Sequence, residues 1–214
     1  SVDVGVANGR GFVAQGGEGK TALIHQWLRN LKVDGYRGAK RIYVWSFYSQ
    51  GSAQDRMIPI APFLNDALRT FGDAAMAESK ASDERKVTDE DKARRLVVLI
   101  RQSRTLLVLD GLEPLQFPPG PPHDGGLRDR AMKVLLKSLA ASNNGLCIVT
   151  TRIPILELDE FNGQGVIQQS LPHLTKEAGA KLLEALGVKP RKGELEKAAR
   201  EYRGHALALT LLGS

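Results

Sequence analysis

The sequence predicts an α/β protein built on a parallel sheet. Short apolar runs rich in β-branched residues alternate with segments of helical periodicity between residues 11 and 171. A glycine-rich segment joins the first of these runs to the first helix, and a later apolar run, 106–109, ends in Asp110. Because alternating strands and helices need crossover connections, this pattern favours parallel strands with helices on both faces of the sheet.

Each apolar run is expected to form a strand, and each periodic segment a helix. The predicted strands are residues 11–14, 41–48, 105–110, 146–151 and 165–171. The predicted helices are residues 21–31, 60–71, 91–104, 130–142, 175–186, 193–202 and 204 onward. Residues 72–92 are polar, rich in alanine and heavily charged, so we expect a solvated loop or a loose helix there.

The pattern changes to helices alone after Pro172. We therefore predict a main domain at residues 1–172, followed by the beginning of a small helical subdomain at residues 173–214. The chain starts without methionine and stops inside an apolar helical pattern. Both observations predict that it is part of a longer protein.

Composition and charge disfavour several classes of protein. The chain is 42% hydrophobic and 25% charged, as in ordinary globular proteins. Its net charge of +6 is spread along the chain without a basic run interleaved with aromatics, which disfavours a nucleic-acid partner. The only cysteine, Cys147, lies in an apolar run, which excludes a disulfide scaffold and favours an intracellular location. No stretch approaches the roughly 20 apolar residues of a membrane helix, so we expect a cytoplasmic protein with no membrane partner.

The strongest local signal is a glycine-rich segment between the first strand and the first helix. This strand-loop-helix context is that of a phosphate-binding P-loop. Glycines let the backbone N–H groups turn toward an anion, and the helix N-terminus adds the positive end of its dipole. The full pattern has glycine where this chain has Ala14, which fits if its φ angle is negative. The predicted nucleotide-binding residues are Gly16, Gly17, Glu18, Gly19, Lys20, Thr21 and Ala22.

Two residues of this loop have separate predicted tasks. The Lys20 ammonium is expected to contact the β- and γ-phosphates, and the Thr21 hydroxyl to bind Mg²⁺. The alternative is a glycine-rich hairpin turn with a chance Gly-Lys-Thr, which the flanking strand and helix disfavour. Residues 9–14 match the loose dinucleotide fingerprint but precede the strand instead of following one, so we reject a NAD site.

Further candidates follow the buried strands. Asp110 is expected to bind Mg²⁺, through water, at the sheet edge where the P-loop lies. Glu113 is expected to orient or deprotonate an attacking water, the alternative being an ordinary loop residue. Arg152 follows the next strand and is expected to contact a γ-phosphate or stabilise its transfer, the alternative being a surface ion pair. Ser49 and Gln50 are weaker candidates for γ-phosphate or partner contact.

Several segments, read in order, resemble the STAND class of signalling ATPases, with NB-ARC and NACHT proteins as the nearest branches. They are the P-loop, 106–113, 150–152 and 204–209. The segments WSFYSQG at 45–51 and DGLEPLQ at 110–116 are similar to those of bacterial members. The resemblance covers nearly the whole chain. It implies a P-loop NTPase fold of the ASCE type, with a five-stranded parallel sheet in the order 5-1-4-3-2.

The resemblance also implies a function. The family's Gly-Leu-Pro-Leu motif lies on the adenine side, and Gly204-His205-Ala206-Leu207 stands in its place, so His205 and Ala206 become candidate nucleotide contacts. STAND proteins use ATP and ADP with Mg²⁺ as a switch. ADP holds a closed monomer, ATP permits opening and homo-oligomerisation, and slow hydrolysis resets the protein. The resemblance implies an N-terminal effector and a C-terminal sensor in the same chain, and bacterial relatives commonly serve in antiphage defence.

Two other classes stay open. The first is a P-loop enzyme with rapid turnover, either a small-molecule kinase or a fast ATPase, for which residues 72–92 are the only candidate lid. Rapid hydrolysis or a phosphorylated product would favour it. The second is an ATP-dependent nucleic-acid-binding regulator, for which a salt-dependent shift on DNA or RNA would be the evidence.

Overall fold

The computed structural model describes residues 9–13, 19–48, 59–79, 86–189 and 193–213 of the 214-residue chain. The five strands form one sheet in the order β2-β3-β4-β1-β5, and every neighbouring pair is parallel. Counted from the β5 edge, this order is 5-1-4-3-2. The strands are β1 (Gly9–Val13), β2 (Arg41–Ser46), β3 (Thr105–Asp110), β4 (Leu146–Thr151) and β5 (Val166–Ser170).

The helices alternate with the strands until β5 and then follow one another. Those among the strands are α1 (Lys20–Val33), α2 (Ala61–Thr70), α3 (Ala74–Glu78), α4 (Asp89–Arg101) and α5 (Arg130–Ala141). Those after β5 are α6 (Lys176–Ala185), α7 (Glu194–Glu201) and α8 (Ala206–Gly213). Among the described helices, none combines the length and apolar character that crossing a bilayer requires.

Strand β3 shows why the sheet is covered on both faces. All of its residues are buried, as expected for a central parallel strand. Leu107 and Leu109 pack into the core that holds α2, α4 and α5, whereas Leu106 and Val108 pack into a smaller core with Ile24 of α1. Because successive strand residues point to opposite faces, one apolar run serves both cores. The register then brings Asp110 to the same level as the end of β2.

Part of the segment 72–92 is helical, as one of the two expectations for it allowed, but the burial of Ala77 and Lys92 contradicts a solvated segment. Helix α3 lies within this segment, and Thr88 begins α4 with a capping box closed by Asp91. Lys92 is only 5% exposed, and its Nζ donates hydrogen bonds to Asn65 Oδ1 at 2.7 Å and to the Ala77 carbonyl at 3.0 Å. The charged composition of the segment suggested that Lys92 would be exposed, because composition does not reveal its hydrogen-bond partners on α2 and α3.

The last three helices pack on one another around Leu183, Ala199 and Leu209. A close backbone contact holds this group to the segment before α6. Gly204 has a φ of +71°, and a Cβ built there would lie 2.0 Å from the Leu174 carbonyl oxygen, so only glycine fits. The Leu174 N–H in turn donates to the Gly204 carbonyl at 2.9 Å. The domain boundary between residues 172 and 173 stays a prediction.

Candidate functional site

The first helix begins at the centre of the site. Gly19 is its N-cap residue with a φ of +79°, a left-handed conformation that favours glycine. A Cβ built on Gly19 would lie 3.5 Å from the Ala206 Cβ, in ordinary contact, so the backbone angle rather than space accounts for the glycine. The start of α1 therefore lies beside the start of α8. The predicted residues Gly16, Gly17 and Glu18 lie outside the described residues.

A buried hydrogen-bond chain holds Asp110 at the end of β3. The Thr21 hydroxyl donates to Asp110 Oδ2 at 2.9 Å, and the Thr150 hydroxyl donates to Oδ1 at 2.5 Å. The Gly111 N–H donates to the Thr150 hydroxyl at 2.8 Å. Because Thr21 gives its hydrogen to a carboxylate, its oxygen lone pairs remain available to a cation. Thr21 and Asp110 were expected at one site from the sequence, whereas the role of Thr150 was not.

Glu113 lies between two cationic side chains. Its Oε1 is 3.8 Å from Lys20 Nζ and 3.6 Å from Arg152 Nε. Lys20 is 7% exposed and Glu113 14% exposed, whereas Arg152 is half exposed. Among the described residues, no donor forms a hydrogen bond to this buried Oε1. The structure thus brings the predicted Lys20, Glu113 and Arg152 to one point.

Tyr48 belongs to the same cluster, in a role that was not predicted from the sequence. Its hydroxyl donates to Glu113 Oε2 at 2.6 Å, and the Arg152 guanidinium lies 6.0 Å from the centre of its ring. Burial and the adjacent Glu113 carboxylate raise the pKa of the Tyr48 phenol, while Arg152 lowers it to a smaller extent. The signal available in the sequence was the position of Tyr48 just beyond β2, whose end meets that of β3.

A cavity of about 830 Å³ lies beside this cluster, within the usual range for ligand pockets. Its polar wall consists of Lys20, Thr21, Tyr48 and Arg152. Its apolar wall consists of Leu171, Pro172, Leu174, Ala178, Leu182, Ala206 and Leu207. Further lining residues are Gly19, Ala22, Leu23, Gln26, Lys181 and Thr210.

The two candidates in the Gly-Leu-Pro-Leu position have different places. Ala206 lines the cavity, whereas His205 is not among the described lining residues. His205 precedes α8, and its Nδ1 accepts a hydrogen bond from the Ala208 N–H at 3.3 Å. Its ring lies edge-on to that of His173, with the centroids 6.0 Å apart. A capping role at α8 accounts for this orientation of His205.

The other residues considered in the sequence are two that follow Tyr48 and the single cysteine. Ser49 and Gln50 lie outside the described residues. Cys147 is buried in the core, and burial raises the pKa of its thiol to about 12, so it behaves as a small apolar side chain. No group of three or more His, Cys, Asp or Glu side chains suited to a metal occurs among the described residues. An all-protein metal cage is therefore not present in that part of the chain.

The donor set does fit a magnesium ion that takes most of its ligands from water and phosphate. Mg²⁺ prefers oxygen ligands and commonly uses only one or two protein groups beside phosphate oxygens. The Thr21 oxygen and the Asp110 carboxylate are such groups, and they are 2.9 Å apart at the start of α1. The residues present thus suit a magnesium nucleotide better than a free metal ion.

Comparison with known proteins gives the class of fold. No protein-family model and no curated protein matches the chain. Over 97% of its length the chain is similar to a signal transduction ATPase with numerous domains (STAND) with a tetratricopeptide repeat sensor from Pyrococcus horikoshii, at 17% identity and a TM-score of 0.60. It is similar over 97% of its length to a Walker-type ATPase of Pyrococcus abyssi, at 16% identity and a TM-score of 0.55.

These two likenesses show that the chain shares the fold of these two ATPases. The chain spans 28% of the Pyrococcus horikoshii protein and 62% of the Pyrococcus abyssi protein. Both identities are low, so the likeness concerns architecture alone.

Proposed function

We propose that this chain is the nucleotide-binding module of a STAND-type switch ATPase, which binds ATP or ADP with Mg²⁺. The observation that carries the proposal is the convergence of Lys20, Thr21, Asp110, Glu113 and Arg152 at the start of α1. These residues come from α1 and from the ends of β3 and β4, where ligands of parallel sheets bind.

The polar wall supplies what a magnesium triphosphate needs. Lys20 and the N-terminus of α1 offer positive charge to the phosphates, and Arg152 offers a second cation at the same edge. Thr21 and Asp110 would hold the Mg²⁺, directly or through water. Bound Mg²⁺ would neutralise phosphate charge, and Glu113 would act on the attacking water.

The apolar wall supplies a surface for a flat base. Leu174, Leu182 and Leu207 line the cavity beside Ala206, which lies against Gly19 of the P-loop. A purine bound there would bury apolar surface of the base and of these side chains. Each Å² of apolar surface removed from water stabilises the complex by about 25 cal/mol. Adenine is the base that the resemblance to STAND proteins implies, and the apolar lining supports a base at this wall.

The switch is the part of the proposal that concerns the whole protein. We propose that ADP maintains a closed state, that ATP permits opening and homo-oligomerisation, and that slow hydrolysis resets the protein. The tetratricopeptide repeat sensor of the Pyrococcus horikoshii protein supports a sensor elsewhere in the full chain. An N-terminal effector, an NB-ARC or NACHT affiliation, a cytoplasmic location and a role in bacterial antiphage defence are further proposals drawn from the resemblance.

Titration of ADP and of ATP in the presence of Mg²⁺ tests the proposal. Lys20→Ala removes a buried cation, so its affinity for both nucleotides should fall more than about 30-fold, in the range for truncating a buried charge pair. Lys32→Ala, which removes an exposed lysine from the last turn of α1, is the matched control and should bind as the wild type does. Unchanged ADP affinity in Lys20→Ala would refute the site assignment.

Turnover distinguishes a switch from a metabolic enzyme. A switch ATPase should hydrolyse ATP far more slowly than the median enzyme rate of about 10 s⁻¹. Phosphate release should be measured with and without candidate small-molecule acceptors. Hydrolysis at an enzyme-like rate, or transfer to an acceptor, would contradict the switch and favour a turnover enzyme.

A further inference from the structure

The site already contains an anion at the point where its two cations meet. Glu113 Oε1 lies 3.8 Å from Lys20 Nζ and 3.6 Å from Arg152 Nε. At these distances opposite charges attract, but neither contact is a short hydrogen bond. The Glu113 carboxylate thus acts as an internal counter-ion for cations that the proposed function assigns to phosphate.

The other oxygen of Glu113 explains how this position is maintained. Oε1 is buried and accepts no hydrogen bond from any described donor, whereas Oε2 accepts a bond of 2.6 Å from the Tyr48 hydroxyl. A hydrogen bond between a hydroxyl and a carboxylate is among the stronger kinds in proteins. Tyr48 therefore fixes the carboxylate by one oxygen and leaves the other facing the two cations.

Tyr48 is itself held by the backbone next to Asp110. A Cβ built on Gly111 would lie 2.2 Å from Tyr48 Cε2, so the ring rests directly on the Gly111 backbone. Gly111 also has a φ of +75°, which favours glycine. The Arg152 guanidinium lies on the ring as well, 6.0 Å from its centre. The end of β2 and the segment after β3 are in this way one packed unit.

We propose that Tyr48 is a positioning residue that holds Glu113 between Lys20 and Arg152 as a stand-in for the γ-phosphate, so that ATP must displace this carboxylate and ADP need not. The inference rests on the proposed function, because it concerns how the same site distinguishes the two nucleotides. It adds a residue that neither the P-loop nor the acidic strand motif contains. Tyr48 makes the nucleotide-free site selective against the terminal phosphate.

The charges make the competition specific. Lys20 and Arg152 carry two positive charges, and Glu113 compensates one of them within a site where Lys20 is buried. An incoming γ-phosphate brings negative charge to the same two cations, and two anions this close repel each other. Glu113 must leave the cations for both to contact phosphate, and leaving costs the hydrogen bond to Tyr48.

The test compares affinities for Mg-ADP and for the Mg complex of the non-hydrolysable ATP analogue AMP-PNP by titration calorimetry of the nucleotide-stripped chain. Tyr48→Phe keeps the ring on Gly111 and removes only the hydroxyl. We expect it to tighten AMP-PNP binding about fivefold while ADP affinity stays within about twofold. The variant loses a charge-assisted hydrogen bond of partly exposed groups from the nucleotide-free and ADP-bound states alike, whereas AMP-PNP already breaks that bond in the wild type. Tyr202→Phe is the matched control, since Tyr48 and Tyr202 are both 41% exposed and Tyr202 does not line the cavity.

A second variant separates positioning from packing. Glu113→Gln removes the charge, so it should also favour AMP-PNP over ADP, and adding Tyr48→Phe to it should not change the ratio further. If the role of Tyr48 is purely structural, Tyr48→Phe should instead lower the affinities for both nucleotides together. That loss of affinity should also occur when Glu113→Gln is already present. Either that pattern or an unchanged affinity ratio in Tyr48→Phe overturns this inference alone. Wild-type protein that binds neither nucleotide overturns the proposed function, and the inference with it.

Discussion

The two walls of the cavity differ in how they are built. The polar wall comes from α1 and from strand ends, and its charged atoms are held by hydrogen bonds and ion pairs between different elements, such as Thr21 with Asp110 and Glu113 with Lys20. The apolar wall comes from residues 171–174 and from helices α6 and α8. Those helices belong to a small cluster centred on Leu183, Ala199 and Leu209.

This difference assigns a separate task to each wall. Buried, mutually oriented charges discriminate between phosphates, because changing one partner leaves another charge unpaired. Apolar side chains offer contact area, which responds gradually to the loss of individual groups. The phosphates should therefore depend on the polar wall and the base on the apolar wall. Tripolyphosphate, which has no base, can separate the two contributions.

The largest effect is expected from Asp110→Asn, which changes the carboxylate that accepts a hydrogen bond from Thr21 of the polar wall. The amide removes the charge and one of the two oxygens that accept from Thr21 and Thr150. Affinity of the nucleotide-loaded protein for Mg²⁺ should fall about 10- to 100-fold, as for other groups that orient a metal site. Calorimetric titration of Mg²⁺ measures this value. If nucleotide binding in EDTA falls equally, Asp110 acts on the fold and not on the metal.

A smaller effect is expected from Gly204→Ala, which should displace Leu174 of the apolar wall. The left-handed backbone at φ +71° costs an alanine about 1–2 kcal/mol, and its Cβ would press on the Leu174 carbonyl oxygen. ADP affinity should fall about tenfold while tripolyphosphate affinity stays unchanged.

Gly163→Ala is the control for the strain in this experiment. Gly163 has a φ of +78° with nothing within 4 Å of a built Cβ, so it carries a similar backbone cost without the clash. Both ligands should bind to this variant as they do to the wild type. Equal loss of ADP and tripolyphosphate in Gly204→Ala would mean that the two walls are not independent.

The smallest effect is expected from Leu207→Ala on the cavity side of α8. Leu207 is half exposed and lines the cavity, so truncation should lower ADP affinity about three- to fivefold and leave tripolyphosphate binding unchanged. Leu211→Ala on the same helix removes an exposed leucine that does not line the cavity. Competition with a fluorescent nucleotide measures the ADP affinity of both variants. An equal loss of affinity in the two would contradict binding of the base at this wall.

The polar wall was largely predictable from the sequence, since its residue types are tied to their chemistry. Strands β3 and β4 have the predicted bounds, and parallel pairing brings the residues after them to one edge. Lys20, Thr21, Asp110, Glu113 and Arg152 therefore meet as the motif positions indicated. The roles of Tyr48 and Thr150 were not predicted because both act through other residues, Glu113 and Asp110. Such roles become visible only when the positions of the ends of β2, β3 and β4 are known.

The apolar wall could not be predicted in the same way. Leucine and alanine occur throughout the chain, and nothing in their sequence pattern distinguishes Leu207, which lines the cavity, from Leu211, which does not. That distinction depends on how α8 packs against α6 and on the close approach of Gly204 to Leu174. The burial of Lys92 in the core was equally unpredictable from the sequence, because it depends on hydrogen bonds to Asn65 and Ala77 of other helices.

Identification of the nucleotide carried by the freshly purified protein tests the central claim most directly. The protein is denatured, and the released small molecules are separated by chromatography and identified by mass spectrometry beside those from Lys20→Ala. We expect near-stoichiometric ADP from the wild type and none from the variant. Wild-type protein that releases no nucleotide and takes up no added Mg-ADP would contradict the assignment of this cavity as a nucleotide site.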